Sequence, residues 1–324
     1  MPGRCLILGG CGFIGANLAE TLLTEGYRVR IFDTPTASRA NLASFESQID
    51  FCSGDFLKEA DIDGALKDVD FVFHLVGTTL PANSNYRTVF DVQSNVIASI
   101  RLLEATLRHG VKRLVFASSG GTVYGESQTI PITEDHPTDP LCSYGITKLA
   151  IEKYLRLYRH LHGLDYTILR ISNPYGKYQK FTAEQGVIGV FLSRIRENRP
   201  ITIWGDGSVV RDYIYVEDVA NAFVKAITQD SQYRVFNIGT GIGMSLRNLL
   251  EMMERVTGIK PKVDYAAGRP VDVSVNVLDP TRGRTYMNWH AETDCEAGLH
   301  KTWSWLCESD SEIPTVPRLM SAAG

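Results

Sequence analysis

The chain has 324 residues, of which 44% are hydrophobic and 22% charged, an ordinary composition for a globular protein with one large domain and a smaller lobe. Its formal net charge of −4 gives no broad basic surface for nucleic acid. No apolar run approaches the ~18 residues that a membrane span needs, so we expect no membrane partner. The first residues lead straight into a strand, and the six cysteines lack zinc-like spacing. These features predict a cytoplasmic protein with reduced thiols and no bound metal.

Short β-rich runs alternate with helical patterns in the first half of the chain. The predicted strands are "RCLILGG", "YRVRIFD", "DFVFHLVG", "RLVFASS" and "DYTILRIS". The predicted helices between them are "FIGANLAETLLTEG", "FDVQSNVIASIRLLEATLRHG" and residues 144–162. This alternation predicts an α/β fold with a Rossmann-type, doubly wound parallel sheet that has helices on both faces.

The pattern loosens after residue 173, where stretches rich in Gly, Pro and polar residues follow. A strand–helix pattern returns in "EDVANAFVKAI", "YRVFNIGTG" and "SLRNLLEMMERVTG". We therefore expect a larger domain at 1–173, which carries a glycine-rich turn near its start, with segments near 212–257 returning to it. A smaller, discontinuous, mixed α/β substrate-binding lobe should lie mainly in 174–324.

A glycine-rich turn opens the chain in "LILGGCGFIG", between the first strand and the first helix. Glycines in this context let the backbone approach a pyrophosphate, which the free N–H groups of the helix can bind. The predicted contacts are Gly9, Gly12, Phe13, Ile14 and Gly15. Asp33 ends the second strand about 20 residues later, where an acid binds an adenosine ribose and repels a 2′-phosphate. Neither Arg30 nor Arg39 is placed to offset that repulsion, so the predicted cofactor is NAD.

Asp55 follows another strand in "CSGDF", with Phe56 beside it. An acid here can accept a hydrogen bond from the adenine amino group. It can equally cap the next helix, and the sequence leaves both readings open.

A tyrosine and a lysine stand one helical turn apart at the start of the helix predicted at 144–162. Tyr144 and Lys148 follow "FASSGGTVYG", and both segments lie beyond the carboxyl ends of the strands, where doubly wound sheets bind ligands. A tyrosine with its usual pKa of about 10 is a poor base at pH 7. We expect the ammonium of Lys148 and an oxidised nicotinamide to lower that pKa. A hydroxyl of Ser118, Ser119 or Thr122 could hold the substrate oxygen.

Several segments together resemble the extended short-chain dehydrogenases/reductases, and within them the NAD-dependent epimerase/dehydratase family typified by UDP-glucose 4-epimerase. The segments are "GGCGFIG", "HLVG", "SSGGTVYG", "YGITK", "RISNPYG", "WGDGSVVRDYIYVEDVA", "FNIGTG" and "GRPVDV". The resemblance runs almost from end to end of the chain. It implies a nucleotide-sugar enzyme that forms a homodimer through the helices at 91–109 and 144–162.

The same resemblance assigns roles to individual residues. On the cofactor side it implies that Tyr144 is the catalytic base, that Lys148 holds the nicotinamide ribose, and that Asn95, Val76, Gly77 and Ser118 lie beside the cofactor. On the substrate side it implies that Asn173, Arg211 and Arg269 bind the diphosphate and Asp272 the uridine ribose, with Gln185 and Val187 as weaker contacts. Two arginines suit a diphosphate chemically. Taken alone, Arg211 could instead pair with Asp212 or Glu217.

Two departures from the family pattern bear on the reaction. "SSGGTVYG" carries an extra glycine, which leaves Ser119 or Thr122 as the substrate-hydroxyl partner; we favour Ser119. The family's 4,6-dehydratases carry Thr-Asp-Glu before Val-Tyr-Gly, whereas this chain has Gly120-Gly121-Thr122. Asn276 stands where related epimerases vary residue size, and its modest size suggests room for a 2-acetamido group. The alternative is that Asn276 ends a strand and faces elsewhere.

The resulting hypothesis is 4-epimerisation of a UDP-hexose with NAD, through a 4-keto intermediate. UDP-glucose/galactose and also UDP-GlcNAc/GalNAc are the expected substrates. The alternatives are a decarboxylase, a 4,6-dehydratase or a 4-ketoreductase of a nucleotide sugar. A protein of another class, a non-catalytic sensor that binds NAD(H), would have no need for Tyr144, Lys148 and Ser119 together.

Overall fold

The computed structural model describes residues 2–180, 186–268 and 273–309. A seven-stranded parallel sheet forms its larger part, in the order β3-β2-β1-β4-β5-β6-β10. Its strands are β1 (Arg4–Leu8), β2 (Arg28–Asp33), β3 (Ile49–Ser53), β4 (Phe71–His74), β5 (Arg113–Ser119), β6 (Tyr166–Ile171) and β10 (Val235–Ile238). From β1 the chain adds β2 and β3 on one side, and it then crosses to the other side of β1 to add β4, β5 and β6. The strand order therefore reverses between β1 and β4, and a crevice opens there at the carboxyl ends of the strands.

Helices cover both faces of this sheet, which confirms the predicted doubly wound fold. One face packs against α1 (Phe13–Thr24) and α7 (Val216–Thr228). The other face packs against α2 (Glu59–Ala65), α4 (Ala98–Arg108) and α5 (Ser143–His162). Each strand except the edge strand β3 buries side chains on both sides, which explains why the sequence shows near-continuous apolar runs there.

The long helix predicted from "FDVQSNVIASIRLLEATLRHG" is interrupted. It begins as α3 (Thr88–Asp91), widens into a π-helical turn at Val92–Ile97, and continues as α4. A π-helical turn accommodates an extra residue, and such turns occur often at functional sites. Here the turn lies beside the start of α5, which carries the predicted Tyr-Lys pair.

A second lobe is built around β9 (Val210–Tyr215). β9 pairs with β11 (Gly243–Ser245), β13 (Val275–Asn276) and β7 (Asn173–Tyr175), while β8 (Ile201–Trp204) pairs with β12 (Val263–Ala266). The helices of this part of the chain are α6 (Val187–Arg196), α8 (Leu246–Thr257), α9 (Thr281–Tyr286) and α10 (Cys295–Ser309). An apolar core of its own joins α6, α8 and α10 to these strands.

The segment that returns to the large sheet is narrower than the predicted 212–257. Within 212–257, α7 and β10 return, whereas α8 turns its apolar face, including Leu249 and Met253, onto α10. Met287 and Trp289, which lie later in the chain, also join the core against the large sheet. No helix in the described ranges combines the length and apolarity needed to cross a membrane.

Candidate active site

A cavity of about 650 Å³ opens at the carboxyl ends of the large sheet, between β1 and β4, and extends to β9. It brings together residues that lie far apart in the sequence. The predicted residues in its wall are Gly9, Gly12, Phe13, Ile14, Gly15, Gly77, Ser118, Ser119, Thr122, Tyr144, Lys148, Asn173, Val187 and Arg211. One continuous cavity therefore joins the glycine-rich turn, the Tyr-Lys pair and the arginine of the second lobe.

The glycine-rich turn has the geometry of a phosphate cradle. Gly9 adopts a positive φ of 83°, and a Cβ on Gly15 would lie 2.5 Å from the carbonyl oxygen of Gly9. Helix α1 starts directly after this turn, and no side chain caps its first N–H groups. Those N–H groups and the helix dipole can therefore bind a pyrophosphate.

Asp33 lies at the end of β2 against this turn. Its carboxylate accepts hydrogen bonds from the backbone N–H groups of Cys11 at 2.9 Å and Thr34 at 2.8 Å. Arg30 is occupied by Asp50 at 2.7 Å, and Arg39 pairs with Glu46 at 3.2 Å. The predicted preference for NAD is consistent with this arrangement, because each arginine already has an acidic partner.

Four other residues predicted for the cofactor lie outside the cavity wall, namely Asp55, Phe56, Val76 and Asn95. Phe56 is buried and its ring centroid lies 5.2 Å from that of His74, and the backbone of Val76 lies beside Gly9. The Asp55 carboxylate accepts the N–H of Leu57 at 2.9 Å, in the turn that precedes α2.

Asn95 fastens the loop after β4 to the helix. Its Oδ1 accepts the N–H of Thr78 at 3.1 Å, and its Nδ2 donates to Asp91 Oδ1 at 2.7 Å. Asn95 thus lies beside the cavity and contacts its wall through Thr79, to whose Oγ1 its Nδ2 donates at 3.4 Å.

The Tyr144 ring forms part of the cavity wall and stays partly exposed to it. Burial raises the pKa of Tyr144 to about 12, and the charges of Cys142 and Asp91 act in the same direction. The predicted lowering of this pKa by Lys148 is therefore not seen in the protein alone. A positively charged cofactor would have to supply it.

Lys148 points from α5 to the end of β5. Its Nζ donates to the carbonyl oxygen of Ala117 at 2.8 Å and lies 5.6 Å from the centroid of the Tyr144 ring. Burial lowers the pKa of Lys148 to about 8, against the opposing charges of Asp91 and Glu152. Tyrosine and lysine thus lie on the same wall, one helical turn apart, as predicted.

The three candidate hydroxyls, at the end of β5 and in the loop that follows it, differ in their surroundings. Ser118 is buried and donates to Glu152 Oε1 at 2.5 Å, so its hydroxyl is already engaged. Ser119 lies in the cavity wall. Thr122 lies there too, and its Oγ1 is buried with no hydrogen-bond partner among the described residues.

The second lobe contributes the opposite wall. Asn173 donates from Nδ2 to the carbonyl oxygen of Asp212 at 2.9 Å, and Arg211 donates from Nη1 to the carbonyl oxygen of Val210 at 2.9 Å. The two acids considered as partners of Arg211 have other contacts. Asp212 accepts the N–H and hydroxyl of Thr240, and Glu217 pairs with Lys301 at 3.0 Å.

Asn276 is buried and does not line the cavity. Its Nδ2 donates to the carbonyl oxygen of Gly120 at 3.2 Å, so it supports the loop that carries the extra glycine. It can therefore affect the substrate through that loop or through Arg211, its register partner on β9, but not as part of the cavity wall. Gln185, Arg269 and Asp272 lie outside the described residues.

Among the wall residues that were not predicted as site residues, three have a polar atom that is unpaired within the described ranges. They are Ser172, Gln179 and Tyr213. Each is buried and has a side-chain oxygen without a hydrogen-bond partner among the described residues. An unpaired buried polar atom costs free energy, so these atoms point to bound ligand or water. Tyr213 could have been found from the sequence, because residues two apart on a strand share a face and Arg211 was already a candidate.

These residues fit NAD. The uncapped start of α1 can hold the pyrophosphate, Asp33 can hold the adenosine ribose, and Tyr144 and Lys148 lie where the cavity continues toward the second lobe. In the part of the chain that the structure describes, no three acidic, cysteine or histidine side chains form a metal-binding group.

Comparison with known proteins agrees with this geometry. The profile described as "NAD dependent epimerase/dehydratase family" matches residues 5–239. The UDP-glucose 4-epimerase of Mycolicibacterium smegmatis is 35% identical over 304 residues, which cover 92% of this chain and 97% of that protein.

Two solved structures share nearly the whole fold. The UDP-glucose 4-epimerase of Thermotoga maritima with UDP-glucose superimposes with a TM-score of 0.89 at 32% identity, covering 94% of this chain and 99% of that one. The UDP-N-acetylglucosamine 4-epimerase of Methanobrevibacter ruminantium M1 in complex with UDP-N-acetylmuramic acid gives 0.89 at 29% identity, covering 95% and 99%.

The fold and cavity define an enzyme of the extended short-chain dehydrogenase/reductase type with NAD as cofactor. The chain belongs to the NAD-dependent epimerase/dehydratase family, as the sequence motifs predicted. Its relatives include UDP-glucose 4-epimerases and a dTDP-4-dehydro-6-deoxyglucose reductase of Escherichia coli, which are all enzymes that act on nucleotide sugars, so the non-catalytic sensor is set aside.

Proposed function

We propose that this enzyme interconverts the 4-epimers of a UDP-hexose. The observation that supports this most directly is the single cavity in which Tyr144, Lys148 and the hydroxyls of Ser119 and Thr122 face the same space as the glycine-rich turn and Arg211. A proton-transfer group, a cofactor cradle and an anion-binding group are the parts that such a reaction needs.

Each residue has a separate role in this reaction. Tyr144 removes the proton of the sugar 4-hydroxyl and returns it after the 4-keto sugar has turned over. Ser119 or Thr122 holds that oxygen. Bound NAD would supply reversible hydride transfer at carbon 4, the chemistry by which the configuration there is inverted. Positioning carries much of such a rate, because reacting groups that are held in place need no further ordering.

The diphosphate anchors the sugar during its turn. Asn173 and Arg211 lie in the wall opposite Tyr144 and can bind it, the arginine through charge-assisted hydrogen bonds. We assign the remaining family roles in the same way, as contacts to the nucleotide and sugar. They fall to Gln185, Val187, Arg269 and Asp272.

A direct test incubates the purified protein, without added cofactor, with UDP-glucose, UDP-GlcNAc and UDP-glucuronate in separate tubes and follows the sugar protons by NMR. The expected result is the 4-epimer of UDP-glucose. A pentose product with loss of carbon dioxide would favour a decarboxylase instead. If none of the three UDP-sugars were converted, even after NAD is added, the result would contradict the proposal.

The UDP-GlcNAc tube tests the role given to Asn276. We expect turnover of the N-acetylated sugar too, because Asn276 supports the loop at Gly120 without filling the cavity. Turnover of UDP-glucose with none of UDP-GlcNAc would reject the wider substrate range.

We also propose that the enzyme is a homodimer. Helix α5 buries one face against the sheet and leaves a second apolar face exposed, formed by Ile146, Tyr154, Leu157 and Leu161. Ile97 of the π-helical turn is also exposed on the preceding helix. An apolar stripe of this kind suits a two-fold contact between copies of the same helices.

Replacing Leu157 by glutamate should convert the dimer to monomer in sedimentation velocity, because it places charges on both sides of the symmetric contact. The matched control is Ile259→Glu, since Leu157 is 42% and Ile259 40% exposed and Ile259 lies away from the stripe. A wild-type monomer, or an L157E dimer as stable as the wild type, would reject the interface.

A further inference from the structure

Asp91, the last residue of α3, is fully buried at 0% exposure. Its carboxylate accepts four hydrogen bonds. Ser143 Oγ donates to Oδ2 at 2.6 Å, and Thr79 Oγ1 and Asn95 Nδ2 each donate to Oδ1 at 2.7 Å. Thr147 Oγ1 donates to Oδ1 at 3.5 Å. None of the four donors is charged, and no cation in the described chain forms an ion pair with this carboxylate.

The donors link Asp91 to the proposed proton-transfer pair. Ser143 and Thr147 directly precede Tyr144 and Lys148 on the first turns of α5. Thr147 Oγ1 also donates to the carbonyl oxygen of Tyr144 at 2.9 Å. One carboxylate therefore holds the two turns of α5 that carry the pair.

The same carboxylate reaches the opposite side of the site through Thr79, which lines the cavity. The loop and helix positions on either side of the cavity are thus fixed relative to each other by one buried group. A buried network of this kind is rigid when all its members are satisfied.

Asp91 is also a negative charge near the pair, and its carboxylate forms no direct ion pair among the described residues, although it favours the Lys148 ammonium by its charge. The other titratable or charged groups that act on the pair are Glu152 on α5, Cys142 directly before α5, and His74 at the end of β4. Glu152 is neutralised by Arg170 at 2.6 Å, and burial keeps the pKa of His74 near 3, so that its ring is neutral.

We propose that Asp91 is a positioning residue for the proton transfer, which holds the start of α5 in place and sets by its charge the ionisation of Tyr144 and Lys148. This rests on the roles proposed for Tyr144 and Lys148. A negative charge favours the ammonium of Lys148 and disfavours the phenolate of Tyr144. Removing it should therefore lower the pKa of both groups.

The decisive experiment is a titration of the NAD-bound enzyme by ultraviolet difference absorbance, with the Y144F titration subtracted to isolate the phenolate of Tyr144. We expect D91N to move the midpoint to lower pH by about one unit, the lower end of what a close charge does. S143A keeps the charge and should leave the midpoint at its wild-type value. A D91N midpoint equal to that of the wild type would overturn the proposal.

This titration needs no sugar, so its outcome does not depend on the proposed reaction. If the wild type turned over no UDP-sugar, the proposed epimerase activity would be rejected, but the titration would still test the role of Asp91. Where turnover is seen, both limbs of the D91N pH–rate profile should move to lower pH.

A second pair of variants decides the matter if D91N does not fold. S143A removes the shortest bond to Asp91 and should lower kcat about tenfold with KM nearly unchanged, whereas S143T keeps the hydroxyl and should recover most of the rate. An S143A enzyme with the kcat of the wild type would then reject the proposal.

Discussion

Replacing Tyr144 by phenylalanine is expected to lower kcat for 4-epimerisation by between about a hundredfold and about ten thousandfold. The substitution removes the phenol that the proposed reaction uses as base, while the ring keeps its place in the cavity wall. KM should change little, because the diphosphate contacts on the second lobe remain. Initial rates measured by NMR or by a coupled assay, at saturating UDP-sugar, check this prediction.

The control is Tyr265→Phe, since Tyr265 is exposed on β12 and lies neither in the cavity wall nor in the proposed dimer stripe. It should retain the wild-type rate. NAD should co-purify with Y144F to the same extent as with the wild type, because the glycine-rich turn and Asp33 are untouched. A Y144F enzyme that keeps more than about a tenth of the wild-type kcat would show that another group moves the proton.

Most of the large sheet could be predicted from the sequence because its signals are local. The buried strands are uninterrupted apolar runs, and the glycine spacing after β1 determines where a helix can start. The helix at Ser143–His162 begins one residue from the predicted 144 and ends at the predicted 162. The π-helical turn at Val92–Ile97 was missed, because a single extra residue barely disturbs a helical pattern.

The second lobe was harder to predict because its strands come from distant segments. β9 pairs with β7, β11 and β13, which are separated from it by long stretches of sequence. Asn276 could be located on a strand from sequence, but its contact with Gly120 depends on how β13 meets the loop after β5. The assignment of α8 to this lobe likewise depends on its contacts with α10.

The residues of the candidate site also differ in whether the local sequence identifies them. Residues in motifs, such as Tyr144, Lys148 and Arg211, reach one cavity as expected. Asp91 and Gln179 carry no local signal. A buried carboxylate becomes visible only when the fold shows which hydroxyls surround it.

The pKa of Tyr144 illustrates a different limit. Spacing on a helix predicted that a lysine would lower it, but the ammonium of Lys148 is directed to Ala117 while burial raises the pKa to about 12. Sequence spacing places two groups side by side, whereas the balance of burial and charge depends on everything packed around them.

Replacing Glu152 by glutamine is expected to lower the free energy of unfolding by about 3–5 kcal/mol. Glu152 and Arg170 are 4% and 6% exposed and form a bidentate pair, with Nη2–Oε2 at 2.6 Å and Nε–Oε1 at 3.1 Å. The substitution leaves the guanidinium charge of Arg170 buried without its counter-ion. Ser118, which donates to Glu152 at the edge of the cavity, loses its charged acceptor as well.

Urea unfolding at pH 7 measures this loss, and a surface pair provides the matched control. Glu59 pairs with Arg108 at 2.9 Å, but the two side chains are 58% and 46% exposed, so E59Q should cost no more than about 1 kcal/mol. An E152L/R170M double variant should recover most of the stability, because replacing both charges by apolar groups removes the uncompensated one. If E152Q lost no more stability than E59Q, the buried pair would contribute as little as an exposed one. The end of β5 at Ser118 and Ser119 would then depend on the pairing of β5 with β6, and not on this pair, for its position beside Tyr144.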